Sequence, residues 1–253
     1  MTQTIIAVVN QKGGVGKTTT TINVAAQLAS AKTPVLIVDL DPQGNATSGL
    51  GVPKDQAEFT TYDVLCKGVP LADAVHKTHL PGLSVLPANS GLAGAEVELV
   101  SRPRREFALK ETLPAAAYRY IIIDCPPSLG LLTINGLAAA GSVIIPVQTE
   151  YYALEGLSQL LNTIQAVRAG INPQLELLGV AMTMFDKRNS LSEQVQTEVA
   201  NYFGDKLFQT IVPRNVRLAE APSYGRTIYE HDRWSKGARA YKALAKEVKD
   251  RTV

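Results

Sequence analysis

The sequence predicts an α/β protein, a doubly wound and mainly parallel sheet flanked by helices. Two observations carry this expectation. Short runs rich in β-branched residues alternate with longer helical patterns along the chain, and several of those runs are apolar at both alternating positions, as strands covered on both faces must be. At 253 residues the chain is long enough for one large domain of this kind, taken here as residues 1–253. No internal repeat, low-complexity tract or Ser/Gly linker divides it.

The strand candidates in order are residues 4–10, 34–40, 83–87, 120–126, 142–148, 175–183 and 207–213. Helical patterns between them cover 17–31, 155–170 and 190–204. The stretch from Gly49 to Pro114 is the least regular, and Pro103 breaks its helical pattern beside Arg102, Arg104 and Arg105. Near the C-terminus, Tyr241, Leu244, Ala245 and Val248 recur at i, i+3, i+4 and i+7, with Lys242, Lys246 and Lys249 toward another face. That pattern reads as a helix packed on the domain, because its apolar side is small for a membrane-surface helix.

Composition narrows the class. With 45% hydrophobic and 19% charged residues, no basic leader and no apolar stretch long enough to span a bilayer, the chain reads as soluble and cytoplasmic. A net charge of +2 does not announce a nucleic-acid binder, although it can hide a local basic patch. Cys66 and Cys125 lie far apart and make no metal-ligand motif, so they read as two buried thiols.

The chemistry starts at Asn10–Thr21, NQKGGVGKTTTT. A strand leads into it and a helix leaves it, which is the setting of a phosphate loop of the pattern G-x-x-x-x-G-K-[ST]. Gly13, Gly14 and Gly16 let backbone N–H groups converge on phosphate oxygens, and the helix N-terminus adds its positive end. The run continues through Val15, Lys17, Thr18 and Thr19, with Lys17 placed to reach the outer phosphates and Thr18 to give its hydroxyl to Mg²⁺. The first position departs from the pattern, since it is Gln11 and a second lysine, Lys12, follows it. Asp39 and Asp41 close the second strand and Asp124 closes another, so all three carboxylates can gather beyond the carboxyl ends of parallel strands. One is expected to help hold Mg²⁺ and another to orient an attacking water. Pro42 introduces a bend that can re-aim Asp41, which can equally be a turn former.

Five blocks now carry a resemblance: KGGVGKTT, VDLDPQGNATSGLG, YIIIDCPPSLGLLTINGL, PVQTEYYALEGLSQLL and VPRNVRLAEAPSYG. Spread over essentially the whole chain, they resemble the ParA/Soj group of chromosome- and plasmid-partitioning ATPases, within the deviant Walker A class of P-loop NTPases that includes MinD. The resemblance implies ATP and Mg²⁺ as cofactors and an ATP-dependent sandwich homodimer. Lys12 matches the lysine that reaches the partner's phosphates; from the residues alone, a contact to its own nucleotide is equally open. Lys17 matches the β,γ-phosphate ligand, Thr18 a Mg²⁺ ligand, and Asp39 and Asp124 the positions that hold the metal through water. Asp41 matches the residue that positions the hydrolytic water, and Pro213 and Asn215 lie in the segment that meets the adenine.

The same resemblance implies non-specific binding to double-stranded DNA, a ParB/Spo0J-like centromere-binding partner that stimulates slow hydrolysis, and nucleoid association. Arg188 and Arg217 match the family's DNA contacts, and Lys187, Arg214, Arg226, Arg233, Lys236 and Arg239 can widen the patch. Two other classes compete. A MinD-like membrane switch needs a more apolar C-terminal helix than YKALAKEVKDRTV, and an iron-protein reductase or cluster carrier needs paired cluster-ligating cysteines.

Overall fold

Seven strands hydrogen-bond into a single sheet in the order β3-β4-β2-β5-β1-β6-β7, in a computed structural model that describes residues 3–150 and 153–252. They are β1 (Thr4–Val8), β2 (Val35–Asp39), β3 (His76–Lys77), β4 (Leu83–Leu86), β5 (Tyr120–Asp124), β6 (Ser142–Gln148) and β7 (Glu176–Thr183). All pairings are parallel except that of β3 with β4. The doubly wound, mainly parallel sheet expected from the sequence is the one observed.

The strand residues sort by parity into two cores. Ile6, Val8, Val35, Ile37, Tyr120 and Ile122 face one side, where they meet Ile22, Val24 and Leu28 of the helix Lys17–Leu28. Ala7, Val9, Leu36, Val38, Ile121 and Ile123 face the other, with Leu132 and Leu137 of the helix Leu131–Ala139. Asp39 and Asp124 have the parity of the first set. Both therefore point to the side that carries the first helix, and Cα pairing puts them opposite each other at the ends of β2 and β5.

The C-terminal helix Lys236–Arg251 closes that same side. Tyr241, Leu244, Ala245 and Val248 are buried in its core, and Lys242, Lys246 and Lys249 are exposed. This is the packing that the heptad-like spacing predicts, and it leaves no apolar stripe of that helix facing outward. Among the described residues no helix is long and apolar enough to cross a membrane.

Two sequence expectations need correcting. Residues 207–213 form no strand, although Phe208 and Val212 donate to Val180 and Met182 of β7 at 2.9 Å each. The amides between them turn the other way: Gln209 and Thr210 both donate to the Glu247 carboxylate of the C-terminal helix at 2.8 Å. Ladder bonds diverted to a side chain cannot continue a strand. The short antiparallel β3 was not foreseen either. Apart from β3 and β4, the irregular stretch from Gly49 to Pro114 contains only short helical turns, and Arg102 ties it down by donating to the backbone oxygens of Leu65 (2.9 Å) and Cys66.

Candidate functional site

The loop between β1 and the first helix is held by three hydrogen bonds. The Asn10 side chain donates to Pro146 O (2.7 Å) and accepts the Lys12 N–H (2.9 Å), fixing where the loop leaves the sheet. At the end of β7, the Thr183 hydroxyl donates to Val15 O at 2.8 Å. Gly14 and Gly16 take left-handed backbone with φ of 76° and 89°, which glycine adopts without strain. A Cβ at Gly13 or Gly14 would meet nothing within 4 Å, so the loop opens on free space. Gly16 caps the first helix without any side-chain bond, leaving the first-turn amides to an outside acceptor.

Lys17 is buried, and its Nζ donates to Lys12 O at 3.1 Å. Burial pulls its ammonium below the usual lysine range, against the opposing charges of Asp124 and Asp41. Lys12 lies elsewhere. Its side chain is 45% exposed and its ammonium pairs with Glu150, so the two lysines of the loop do not face each other. One rests on a carbonyl and the other on a carboxylate from the end of β6.

The aspartates are placed by threonines. Asp124 Oδ2 accepts the Thr18 hydroxyl at 2.7 Å and Oδ1 accepts the Thr21 hydroxyl at 3.0 Å. Asp39 Oδ2 accepts both the N–H (2.9 Å) and the hydroxyl (2.7 Å) of Thr47. Both aspartates are fully buried, and burial raises both above the ordinary carboxylate range. Thr47 counters the rise at Asp39, while Thr18 and Thr21 counter it at Asp124, where the neighbouring Asp39 charge adds to the effect. Two facing carboxylates with raised affinity for positive charge, beside a threonine hydroxyl, fit a hard divalent cation shared with phosphates. Mg²⁺ takes one or two protein carboxylates in such sites rather than a full protein cage. Among the described residues no group of three or more His, Cys, Asp or Glu side chains offers such a cage.

Asp41 does shape the turn at Pro42: its Oδ1 accepts the Gln43 N–H (2.9 Å) and its carbonyl accepts the Gly44 N–H (2.8 Å). Gly44 has φ of 61°, and a Cβ there would fall 2.4 Å from Ala88 O, so only glycine closes this turn. The bend leaves Asp41 buried and close enough for its charge to act on Lys17.

Beside the loop lies a cavity of about 470 Å³, lined among others by Gly16, Thr19, Thr183, Pro213, Asn215 and Tyr241. It is mostly apolar with a few convergent polar groups, the usual build of a small-molecule site. Pro213 and Asn215 thus line one cavity with the loop. The Asn215 Oδ1 also accepts the Arg217 N–H at 2.9 Å, starting the helix Val216–Glu220. Arg188 and Arg217 stand on two exposed segments next to the cavity, each ion-paired with an acid of its own chain.

Asn10, Thr21, Thr47, Glu150 and Thr183 complete the site and were not singled out from the sequence. Thr21 sits four residues beyond Lys17, a helical spacing that could have exposed it. Asn10 opens the loop itself, and Thr47, Glu150 and Thr183 arrive from other segments with no local signal. Cys66 and Cys125 are both free and buried, and Cys125 packs beneath the site against the helix that starts at Leu131, where a Cβ on Gly136 would meet its Sγ at 2.8 Å.

A glycine turn opening a helix, a buried lysine in that helix, and two buried aspartates on adjacent parallel strands define a P-loop nucleotide-binding protein. A family model described as an AAA domain matches residues 3–177. The chromosome partitioning protein ParA of Myxococcus xanthus is 56% identical over 98% of this chain and 88% of its own length. The sporulation initiation inhibitor protein Soj of Bacillus subtilis is 56% identical over 96% of this chain and 97% of its own. Among solved structures, a Mycobacterium smegmatis protein described as cobyrinic acid a,c-diamide synthase, with bound ADP and magnesium, superposes with a TM-score of 0.84. It is 41% identical and covers 96% of this chain and 93% of its own. The cell division ATPase MinD of Pyrococcus furiosus gives a TM-score of 0.81 at 25% identity, covering 99% of each chain. The chain belongs to the ParA/Soj family of partitioning ATPases.

Proposed function

We propose that this chain is a DNA-partitioning ATPase that closes as a homodimer over two ATP–Mg²⁺, binds double-stranded DNA without sequence preference in that state, and is reset by slow hydrolysis. A ParB/Spo0J-like partner stimulates the reset, and the protein works in the cytoplasm on the nucleoid as a single 1–253 domain. The observation that carries this reading is the division of labour between the two lysines. Lys17 is buried at the helix start, where it can serve only its own nucleotide, whereas Lys12 is half-exposed at the mouth of the site on a carboxylate it can exchange.

Within the site, Lys17 and the amides of Gly13–Thr19 bind the phosphates, and Thr18 with Asp39 and Asp124 holds Mg²⁺, the aspartates through water. Asp41 positions the hydrolytic water. Lys12 reaches the partner's phosphates and stabilises transferred charge as an arginine finger does. Pro213 and Asn215 contact adenine. Arg188 and Arg217 meet DNA phosphates, with Lys187, Arg214, Lys236 and Arg239 around the adjoining depression.

Co-sedimentation tests the reading, with plasmid DNA and with anionic liposomes, each in ATP and in ADP. DNA retention should require ATP and fall steeply with salt, as binding through phosphates does, and liposomes should retain little protein. Liposome binding without DNA retention would overturn the proposal in favour of a MinD-like membrane switch.

A further inference from the structure

Both arginines that face DNA in this reading are already occupied. Arg188 makes a two-pronged pair with Asp186, Nε to Oδ1 at 3.0 Å and a terminal nitrogen to Oδ2 at 2.9 Å. This is the fork geometry by which a guanidinium also holds a phosphate. Arg217 donates to Glu220 at 2.8 Å and has Asp232 at 4.0 Å. The same Glu220 carboxylate takes the His231 ring at 3.3 Å, and Tyr224 stacks on that ring. The pairs are solvent-accessible: Arg188 is 89% exposed and Arg217 57%. Phosphate can therefore reach both guanidinium groups once the carboxylates yield.

Each pair is also wired to the nucleotide cavity. Thr183, which pins the phosphate loop through Val15, is followed by Met184, a cavity-lining residue with left-handed backbone at φ of 53°. Phe185 then exchanges backbone bonds with Val212 and Arg214 at 3.1 and 3.0 Å, and Asp186 and Arg188 come next. On the other side, Asn215 lines the cavity and caps the helix that bears Arg217 and Glu220. Both segments therefore lie within a few residues of the cavity lining.

We infer that Asp186 and Glu220 are resident counter-charges that hold Arg188 and Arg217 in reserve, so that DNA binds by exchanging its phosphates for these carboxylates. The inference rests on the proposed DNA-binding function. It keeps Arg188 and Arg217 neutralised until DNA arrives and assigns Asp186 and Glu220 the part of positioning residues that set how strongly DNA binding depends on ATP.

A fluorescent duplex of mixed sequence, titrated by anisotropy at fixed low salt without nucleotide, with ADP and with ATP, tests it. The variants are D186N, E220Q, R188A, R217A and the pairs D186N/R188A and E220Q/R217A. Asparagine and glutamine each keep one acceptor oxygen, so the bond from the Arg188 N–H to the residue-186 side chain (3.0 Å in the native protein) and the His231 contact can survive. D186N and E220Q should each tighten binding about two- to five-fold, the worth of one exposed ion pair, and raise binding without nucleotide most. The gain should vanish when the paired arginine is alanine. Equal tightening in the alanine backgrounds would show a general charge effect and overturn the inference. So would no tightening in protein whose R188A or R217A form binds DNA more weakly, and that outcome leaves the DNA-binding function standing. Wild-type protein without ATP-dependent DNA binding would overturn both.

Discussion

Replacing Thr21 by valine tests whether Asp124 is set by the first helix. Thr21 and Asp124 are both fully buried, and the hydroxyl donates to Oδ1 at 3.0 Å. Valine keeps the branched shape and removes only the donor, so no cavity opens. Asp124 retains its bond from Thr18 but loses one of the two hydroxyl bonds that oppose the effect of its burial. A hydrogen bond to a charged group contributes about 1.5–3 kcal/mol to stability. At a urea slope of ~2 kcal/mol/M, that lowers the unfolding midpoint by roughly 1 M. Because Asp124 is proposed to hold Mg²⁺, the Mg²⁺ needed for half-maximal ATP turnover should rise by about 10-fold or more, as it does when a partner orienting a metal-site group is removed. Thr21→Ser keeps the hydroxyl and loses one methyl, costing about 0.8 kcal/mol with no shift in Mg²⁺ demand. A T21V protein within about 0.5 kcal/mol of wild type, the size of an ordinary surface change, would refute the argument. So would T21S shifting the Mg²⁺ requirement as far as T21V.

Three further outcomes are expected. Leu244→Ala, at a fully buried position of the C-terminal helix, should destabilise the fold by about 2–5 kcal/mol in a denaturant titration; a near-neutral result would mean this helix does not belong to the core. Lys12→Ala should keep nucleotide binding by the monomer and lose the ATP-dependent dimer in size-exclusion chromatography with light scattering, since of the loop's two lysines Lys12 is the exposed one and Lys17 is buried. The Arg188 fork holds the Asp186 carboxyl down to about 2. Its charge is then complete above the unfolded value of about 3.9 and is lost only as pH falls through the folded one, so a carbon-detected NMR titration should find the midpoint near 2. A midpoint near 4 would show that the pair does not form in solution.

The site was legible where its chemistry is local. Glycines at 13, 14 and 16, Lys17 and Thr18 lie within six residues of the chain, and a strand-to-helix context is enough to nominate them. Asp39 and Asp124 were readable because each ends a doubly apolar run, and parity within a strand fixes the face. The strand at 207–213 misled for the opposite reason. Its apolar spacing is real and Phe208 and Val212 are buried, but Glu247, more than thirty residues later, takes the amides that would have made the ladder.

By itself the sequence determined the alternation of elements, the doubly wound sheet, the phosphate loop and the two acidic strand ends, since each depends on periodicity or on neighbours within a few residues. Tertiary structure decided which charges meet. It set Lys12 on Glu150, Asp124 on Thr21, Asp39 on Thr47, and placed the Asp186 and Glu220 pairs on segments next to the cavity beside the loop. Most of these are contacts between side chains brought together from separate segments, and distance along the chain carries no information about them until the sheet order is fixed.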